Sequence, residues 1–445
     1  MAYERLSGQG ARLLDLESTT QPMHSGTIVV LDGGSFSDER GRFKLDEVRT
    51  RVAERLQLVP RFRKRLVKVP FDQGRVWVDD ETFDLPYHVR LTALPSPGDD
   101  EQISTLLERI QAQRLDRTRP LWELWCVEGL EDDRVALVEK VHHALVDEEG
   151  GDLLGVLLDR VADPEPIEVP DWHPEPAPGD AELLFESLAE RMSEPMELLR
   201  RAHEKALAPV RARRDPAPEA VAPHTRWNVA IGPQRRYEMV SLSAEGARST
   251  AERAGLAASL DDVVLAACAG ALRRYLTGCG DNVHDVTLRV AVPVGEADGS
   301  IAVPTLPLAL GEEDAVARLR LVAVSRAALP DGVVALGAPD AADPWAPSLA
   351  LGVAAQALLD APGVNLGITI VHGPSDARFF LGARLRAAHP FVDLVDGQGL
   401  ALAAFVHEDR IDFGLTGDRD AVCDLDDLAA ALRDELDELT GSAAA

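Results

Sequence analysis

The chain has 445 residues, 46% of them hydrophobic, and a formal charge of −29. That length gives room for two or three domains with cores of their own, and a composition punctuated regularly by Gly and Pro excludes a largely disordered chain. The acidic balance works against nucleic acid and against anionic membranes as bulk partners, while an N-terminus with no apolar core and the lack of any run of about 18 apolar residues predict a cytoplasmic protein.

The first 160 residues alternate short apolar runs with helical ones, the pattern of an α/β fold. "GTIVVLDG" (26–33) reads as a strand ended by Gly, and "LDEVRTRVAERLQLVPRF" (45–62) has helical spacing of apolar residues up to a Pro. Further on, Val135, Leu137, Glu139 and Val141 occupy one face of a predicted strand and Ala136, Val138, Lys140 and His142 the other. Leu153, Leu154, Leu157, Leu158 and Val161 then take up helical spacing, so the period changes between the histidines and Leu153. Residues 164–178 hold six prolines and predict an extended connector. A linker helix or two follow, with Leu184, Leu188, Met192, Met196 and Leu199 on one stripe and six Lys or Arg against one acid between Arg200 and Arg214. That basic end is read either as a solvated inter-domain helix or as a patch touching lipid phosphates.

The second half restarts near Thr225. "SLDDVVLAACAGALRRYL" (259–276) predicts a helix with a stripe of Val264, Leu265, Cys268, Leu272, Tyr275 and Leu276, opened by a capping box of Ser259 and Asp262. Strand-like runs follow at 286–294, 363–374, 379–391 and 399–418, and an amphipathic helix closes the chain at 425–439. The boundaries read as 1–163, 164–224 and 225–445. The cysteines, Cys126, Cys268, Cys279 and Cys423, show no metal-ligand spacing and suit structural or incidental roles in a reducing compartment.

The chemistry concentrates in "KVHHALVDEEGG" (140–151), where a strand gives way to a helix. Three readings compete for it. A neutral imidazole is a natural base near pH 7, and with no Ser or Cys beside it His143 would deprotonate an acceptor alcohol for direct attack on an activated acyl carbonyl. Alternatively, the histidines are metal ligands, although adjacent strand residues point to opposite faces. In the blandest reading they are semi-buried polar residues and Asp147 caps the next helix.

The same stretch lies within a longer resemblance. "QPMHSG" (21–26), "VPRFRKRL" (59–66), "FDLPYHVR" (83–90), a PLWE block at Pro120, Leu121, Trp122 and Glu123, "KVHHALVD" against an HHxxxDG motif, "DDVVLAACAGALRRYL" against an NDVVLA helix, and "LGARL" with "FGLTGDRD" occur in one order. Together they resemble the bacterial wax ester synthase/diacylglycerol acyltransferase family. The resemblance implies two chloramphenicol acetyltransferase-like α/β domains with mixed sheets and an active-site tunnel between them. It implies an acyl-CoA-dependent O-acyltransferase with His143 as base, His142 supporting and Asp147 orienting the loop. Substrate contacts are then expected of Glu148, Gly151, the PLWE residues, Asp262 and Thr369. Acyl-CoA is a co-substrate and not a resident cofactor, diacylglycerol or a long-chain alcohol is the acceptor, no metal is called for, and contact with a membrane or lipid droplet is peripheral.

Four departures stand out. Glu148 replaces the motif's Gly, Asp261 replaces the Asn of the ND pair, "TIVHGP" (369–374) replaces SNVPGP, and the region after "VAVPV" is shortened. They leave open a non-catalytic relative that binds lipid or scaffolds other acyltransferases, or an acyltransferase with a different acceptor.

Overall fold

The computed structural model describes residues 3–70, 74–146, 151–179, 182, 222–253, 258–296, 301–329, 333–334, 336, 347–359, 363–422 and 424–442. Two six-stranded mixed sheets organise them. In the first, the strands run in the order Phe379–Phe380, Ala383–Phe391, His24–Asp32, Arg134–His142, Trp122–Leu130 and Val89–Ala93, antiparallel except for the last pair. In the second the order is Thr305–Ala309, Thr287–Ala291, Leu366–His372, Leu400–His407, Arg410–Asp418 and Arg235–Ser243. Leu366–His372 lies parallel to both its neighbours there.

The period of two anticipated for the histidine strand is realised over Arg134–His142. Val135, Leu137 and Val141 enter one core with Leu154 and Leu351, whereas Ala136 and Val138 enter another beneath the helix Asp100–Ala112. The central strand of the second sheet divides its residues in the same way. Leu400, Leu402, Ala404 and Val406 fill the C-terminal core, and Ala401, Ala403 and Phe405 face the core built mainly by the first half. A space between the sheets is therefore walled by both halves of the chain.

Several expectations are modified by packing. The run at 399–418 is two strands joined through Glu408, which turns at φ 46°. The pair Phe379–Phe380 and Ala383–Phe391, though late in sequence, completes the first sheet against His24–Asp32. The helix Leu260–Gly278 carries its expected capping box, with Ser259 N–H donating to Asp262 Oδ2 at 2.7 Å and Asp262 N–H to Ser259 Oγ at 3.3 Å. It is not amphipathic: every residue from Asp261 to Leu272 is buried, because the helices Ala244–Arg253, Ala315–Ala327 and Leu425–Ser442 enclose it. The helix after the histidines is short, Leu153–Leu157, and its cap is Asp152, whose Oδ1 accepts Gly155 N–H at 2.8 Å.

The proline-rich connector has no regular secondary structure and lies along the first half, where Trp172 meets Phe83 edge-on and sits under Arg63. Apart from Glu182, the expected linker helix and its basic end (181–214) lie outside the described residues, as does Cys423. Cys126 and Cys268 are buried and free, their thiols pushed up to about 12 by burial. Among the described residues no helix is long and apolar enough to cross a membrane.

Candidate active site

Strand pairing ends at His142, opposite His24. The backbone then turns, and the two imidazoles part. His142 Nδ1 accepts Ala144 N–H at 3.0 Å, which leaves the ring proton on Nε2, 3.5 Å from Glu17 Oε2. Burial lowers the pKa of His142, and Glu17 works against that lowering. Glu17 is itself pushed up by burial, but His142 and Arg117 outweigh this and bring it below the usual carboxylate range. The His142 ring thus faces an ion-paired carboxylate.

His143 faces a narrow cleft of about 20 Å³, lined otherwise by Gln21, Met23, the helix residues Ala355, Leu358 and Leu359, Gly367 and Thr369 of one strand, and residues 392–395, 398, 400 and 401 of the chain after Phe391. Its backbone N–H donates to Met23 O at 3.0 Å, and its side chain is 2% exposed. Burial, helped by His142, pushes its pKa down to about 3, so the ring stands in its neutral form, the form a general base starts from, throughout the neutral range. Gly352 lets the helix Pro347–Leu359 close on this point: a Cβ there would lie 2.9 Å from Val146 Cγ2 and 3.7 Å from His143 Nδ1.

The other anticipated site residues divide. Thr369 is buried and lines the cleft with Gly367, while Leu366, Ile368 and Ile370 of the same strand point into the C-terminal core. Asp147 and Glu148 lie outside the described residues. Gly151, at φ 75°, occupies a left-handed position where a Cβ would meet Val59 Cγ1 at 2.8 Å, but it does not line the cleft. Nor do the PLWE residues. Leu121 O accepts His142 N–H at 3.0 Å, Trp122 stacks on His88 at 4.6 Å and donates from Nε1 to Phe62 O at 2.7 Å, and Glu123 lies 3.1 Å from Arg90. Trp122 and Glu123 open the strand beside the histidine strand, opposite Val141 and Lys140. Asp262 is the helix cap already described.

Two departures from the family pattern meet each other. His372, at the Pro of SNVPGP, places Nε2 2.7 Å from Oδ1 of Asp261, whose other oxygen accepts from Arg326 at 3.0 Å. Burial pushes Asp261 up, and His372 and Arg326 together bring it below the ordinary range. The substituted aspartate is thus paired in place.

Sequence reading missed the polar cluster that joins the walls. Glu139, on the core face of the histidine strand, accepts from Ser348 Oγ–H, and Ser348 N–H donates to Asp152 Oδ2 at 2.6 Å. One serine at the start of the cleft helix thereby joins the strand that ends in the histidines to the segment leaving their loop. Burial, then the charge of Asp152, holds the pKa of Glu139 well above the ordinary value. A raised carboxyl pKa stabilises the fold at low pH, and that contribution disappears as pH rises from about 4.5 through the folded value. Glu139→Gln is therefore expected to fold normally and to flatten the alkaline loss of stability followed by denaturant unfolding at several pH values, whereas Glu139→Ala should lower stability by roughly 1–3 kcal/mol through unpartnered groups. A serine preceding an apolar helix gave no signal of any of this in the sequence.

Two mixed sheets closing over a strand-end histidine constitute the fold of acyltransferases of the chloramphenicol acetyltransferase type. The wax ester synthase/diacylglycerol acyltransferase catalytic domain matches residues 6–264, and the WS/DGAT C-terminal domain matches residues 300–440. A probable diacylglycerol O-acyltransferase of Mycobacterium tuberculosis strain H37Rv, tgs2, is 33% identical over 96% of both chains. The wax ester synthase/diacylglycerol acyltransferase of Marinobacter aquaeolei superposes with a TM-score of 0.70 at 26% identity, over 99% of this chain and 100% of that one. The first condensation domain of the calcium-dependent antibiotic synthetase shares the fold, with a TM-score of 0.55 at 17% identity over 99% and 97% of the two chains. The chain belongs to the wax ester synthase/diacylglycerol acyltransferase family and is an acyltransferase.

Proposed function

We propose that the protein moves a long-chain fatty acyl group from acyl-CoA to the hydroxyl of diacylglycerol or a long-chain alcohol, with His143 as the general base. The observation that carries this reading is the buried, neutral imidazole of His143 on a narrow, mostly apolar cleft. The imidazole takes the hydroxyl proton as the oxygen bonds to the thioester carbonyl carbon. Collapse of the tetrahedral intermediate breaks the C–S bond, and the CoA thiolate takes the proton back from the imidazolium, so atoms and charge balance without an enzyme nucleophile. Leucine, valine and alanine walls suit the hydrocarbon and keep water, the competing acceptor, from the thioester. The curated relatives that bear the name diacylglycerol O-acyltransferase support the same chemistry. Because both substrates partition into lipid, the protein works as a cytoplasmic enzyme meeting a membrane or lipid-droplet surface peripherally.

Purified protein given palmitoyl-CoA should release free thiol only when hexadecanol or a diacylglycerol is supplied, with one ester formed per CoA. Release that ignores the acceptor, or no release with either acceptor, overturns the reading.

A further inference from the structure

The residue bonded to the backbone of His143 is in a conformation its side chain disfavours. Met23 sits at φ 56°, in the left-handed region that suits glycine and penalises a methionine. It persists because both of its peptide groups are engaged. Its carbonyl accepts His143 N–H at 3.0 Å, and its own N–H donates to Asp393 Oδ2 at 2.7 Å. Asp393 is held in turn: its Oδ1 accepts Leu394 N–H at 2.9 Å and faces Arg235 Nη2 at 3.4 Å, while Arg235 donates from Nη1 to Gly232 O at 2.7 Å and from Nη2 to Thr20 O, upstream of Met23. Met23 and Asp393 both line the cleft.

Glycine would take this backbone at no cost, and a methionine there has to be held by its neighbours. The bonds that hold it come from the second half of the chain, and the one it makes goes to the residue that the proposed mechanism depends on.

We infer that Asp393 is a positioning residue: anchored by Arg235, it fixes Met23 in its left-handed turn and so holds the backbone of His143 where the strand ends. The inference rests on the function proposed for His143, and its structural part can be read without turnover. Burial pushes the Asp393 carboxyl up to about 6, against the pull of Arg235 and two backbone donors, so near pH 7.5 it is the ionised acceptor that the Met23 amide requires.

The test is a cycle of Asp393→Ala, Asp393→Asn, Met23→Gly and the Asp393→Ala/Met23→Gly pair in the full chain, with two readouts. In hydrogen exchange of a peptide covering residues 140–146, Asp393→Ala should speed exchange of the His143 amide by about tenfold, the order set by the cost of holding a non-glycine residue left-handed. Asp393→Asn, which keeps an acceptor oxygen, should stay close to wild type. Met23→Gly removes the cost being opposed, so the double variant should exchange more slowly than Asp393→Ala alone. In palmitoyl-CoA/hexadecanol turnover, kcat should fall by a similar factor in Asp393→Ala, with the KM for acyl-CoA within about twofold and recovery in the double variant. Unchanged exchange in Asp393→Ala, or a double variant no better than the product of its two single effects, overturns the inference. A chain lacking turnover but showing the exchange pattern instead counts against the function proposed for His143 and leaves the positioning role standing.

Discussion

His143→Ala is expected to lower kcat by about 10²- to 10⁴-fold, the usual value of a positioned general base, with little change in KM because the apolar walls that bind the chains are untouched. The same change should make the fold more tolerant of acid. The folded histidine titrates at about 3 against an ordinary 6.5, since burial penalises its charged form. As pH falls from 6.5 towards 3, the unfolded chain binds a proton that the folded chain refuses, so stability drains away across that window. Alanine removes this share of the loss. The buried histidines His24, His88, His142 and His389 are shifted in the same direction and keep theirs. Acid titration followed by tryptophan fluorescence should therefore place the unfolding midpoint of His143→Ala below that of wild type. A variant that is less active but loses stability between pH 6.5 and 3 as steeply as wild type would mean that His143 is charged in the folded protein, and the base assignment would fall with it.

What the sequence conveys and what it withholds follow from the range of the forces involved. The change of period after Arg134–His142 is local, and it located the histidines at the end of a strand. The capping box at Ser259 and Asp262 is local too, involving residues three apart. Contacts between distant segments left no comparable trace. Nothing in "FFLGARLRAAHPF" says that it pairs with "HSGTIVVLD" in the other half of the chain, although pairing alone places Phe391 against Gly26, where a Cβ would lie 1.9 Å from Glu139 O. Asp393 and Met23 are separated by 370 residues and joined by a 2.7 Å bond. The stripe read for the helix Leu260–Gly278 is buried as expected, but periodicity reports only the face a helix needs to bury, and three neighbouring helices cover the others as well.

Family blocks carry a different kind of information. In the PLWE block Trp122 and Glu123 pair edge to edge with the strand bearing the histidines, and Trp122 donates a hydrogen bond to Phe62 O while Glu123 pairs with Arg90. Departures are likewise easier to interpret in three dimensions. Asp261 and His372 each break a block, and together they form one half-buried contact. Of the changes near the proposed cleft, these two are explained by each other.

The second large effect is on stability and lies far from the cleft. Arg318 and Glu435, 2% and 3% exposed, pair across the interface between the helices Ala315–Ala327 and Leu425–Ser442. Arg318 also donates from Nη1 to Glu312 O at 2.9 Å and to Glu313 O at 3.5 Å, and from Nε to Ala266 O at 3.3 Å, so its charge is spread over four acceptors. The pair fits only because Gly270 has no side chain: a Cβ would lie 2.0 Å from Glu435 Oε2 and 2.5 Å from Arg318 Nη2. Removing one member of a buried pair strands the other in a medium that solvates it poorly, a loss of about 3–5 kcal/mol. Glu435→Ala should therefore shift the denaturant midpoint sharply downward. Glu435→Gln keeps one accepting oxygen where Arg318 and Arg274 use two, loses the charge, and should fall between that variant and wild type. The Arg318→Met/Glu435→Leu pair, which buries no charge, is expected to recover most of the loss, since an apolar pair of similar volume replaces such a bridge at little cost. If Glu435→Ala unfolds at the wild-type midpoint, Arg318 must reach water in the folded state, and the acceptors around it cannot be what holds these helices together.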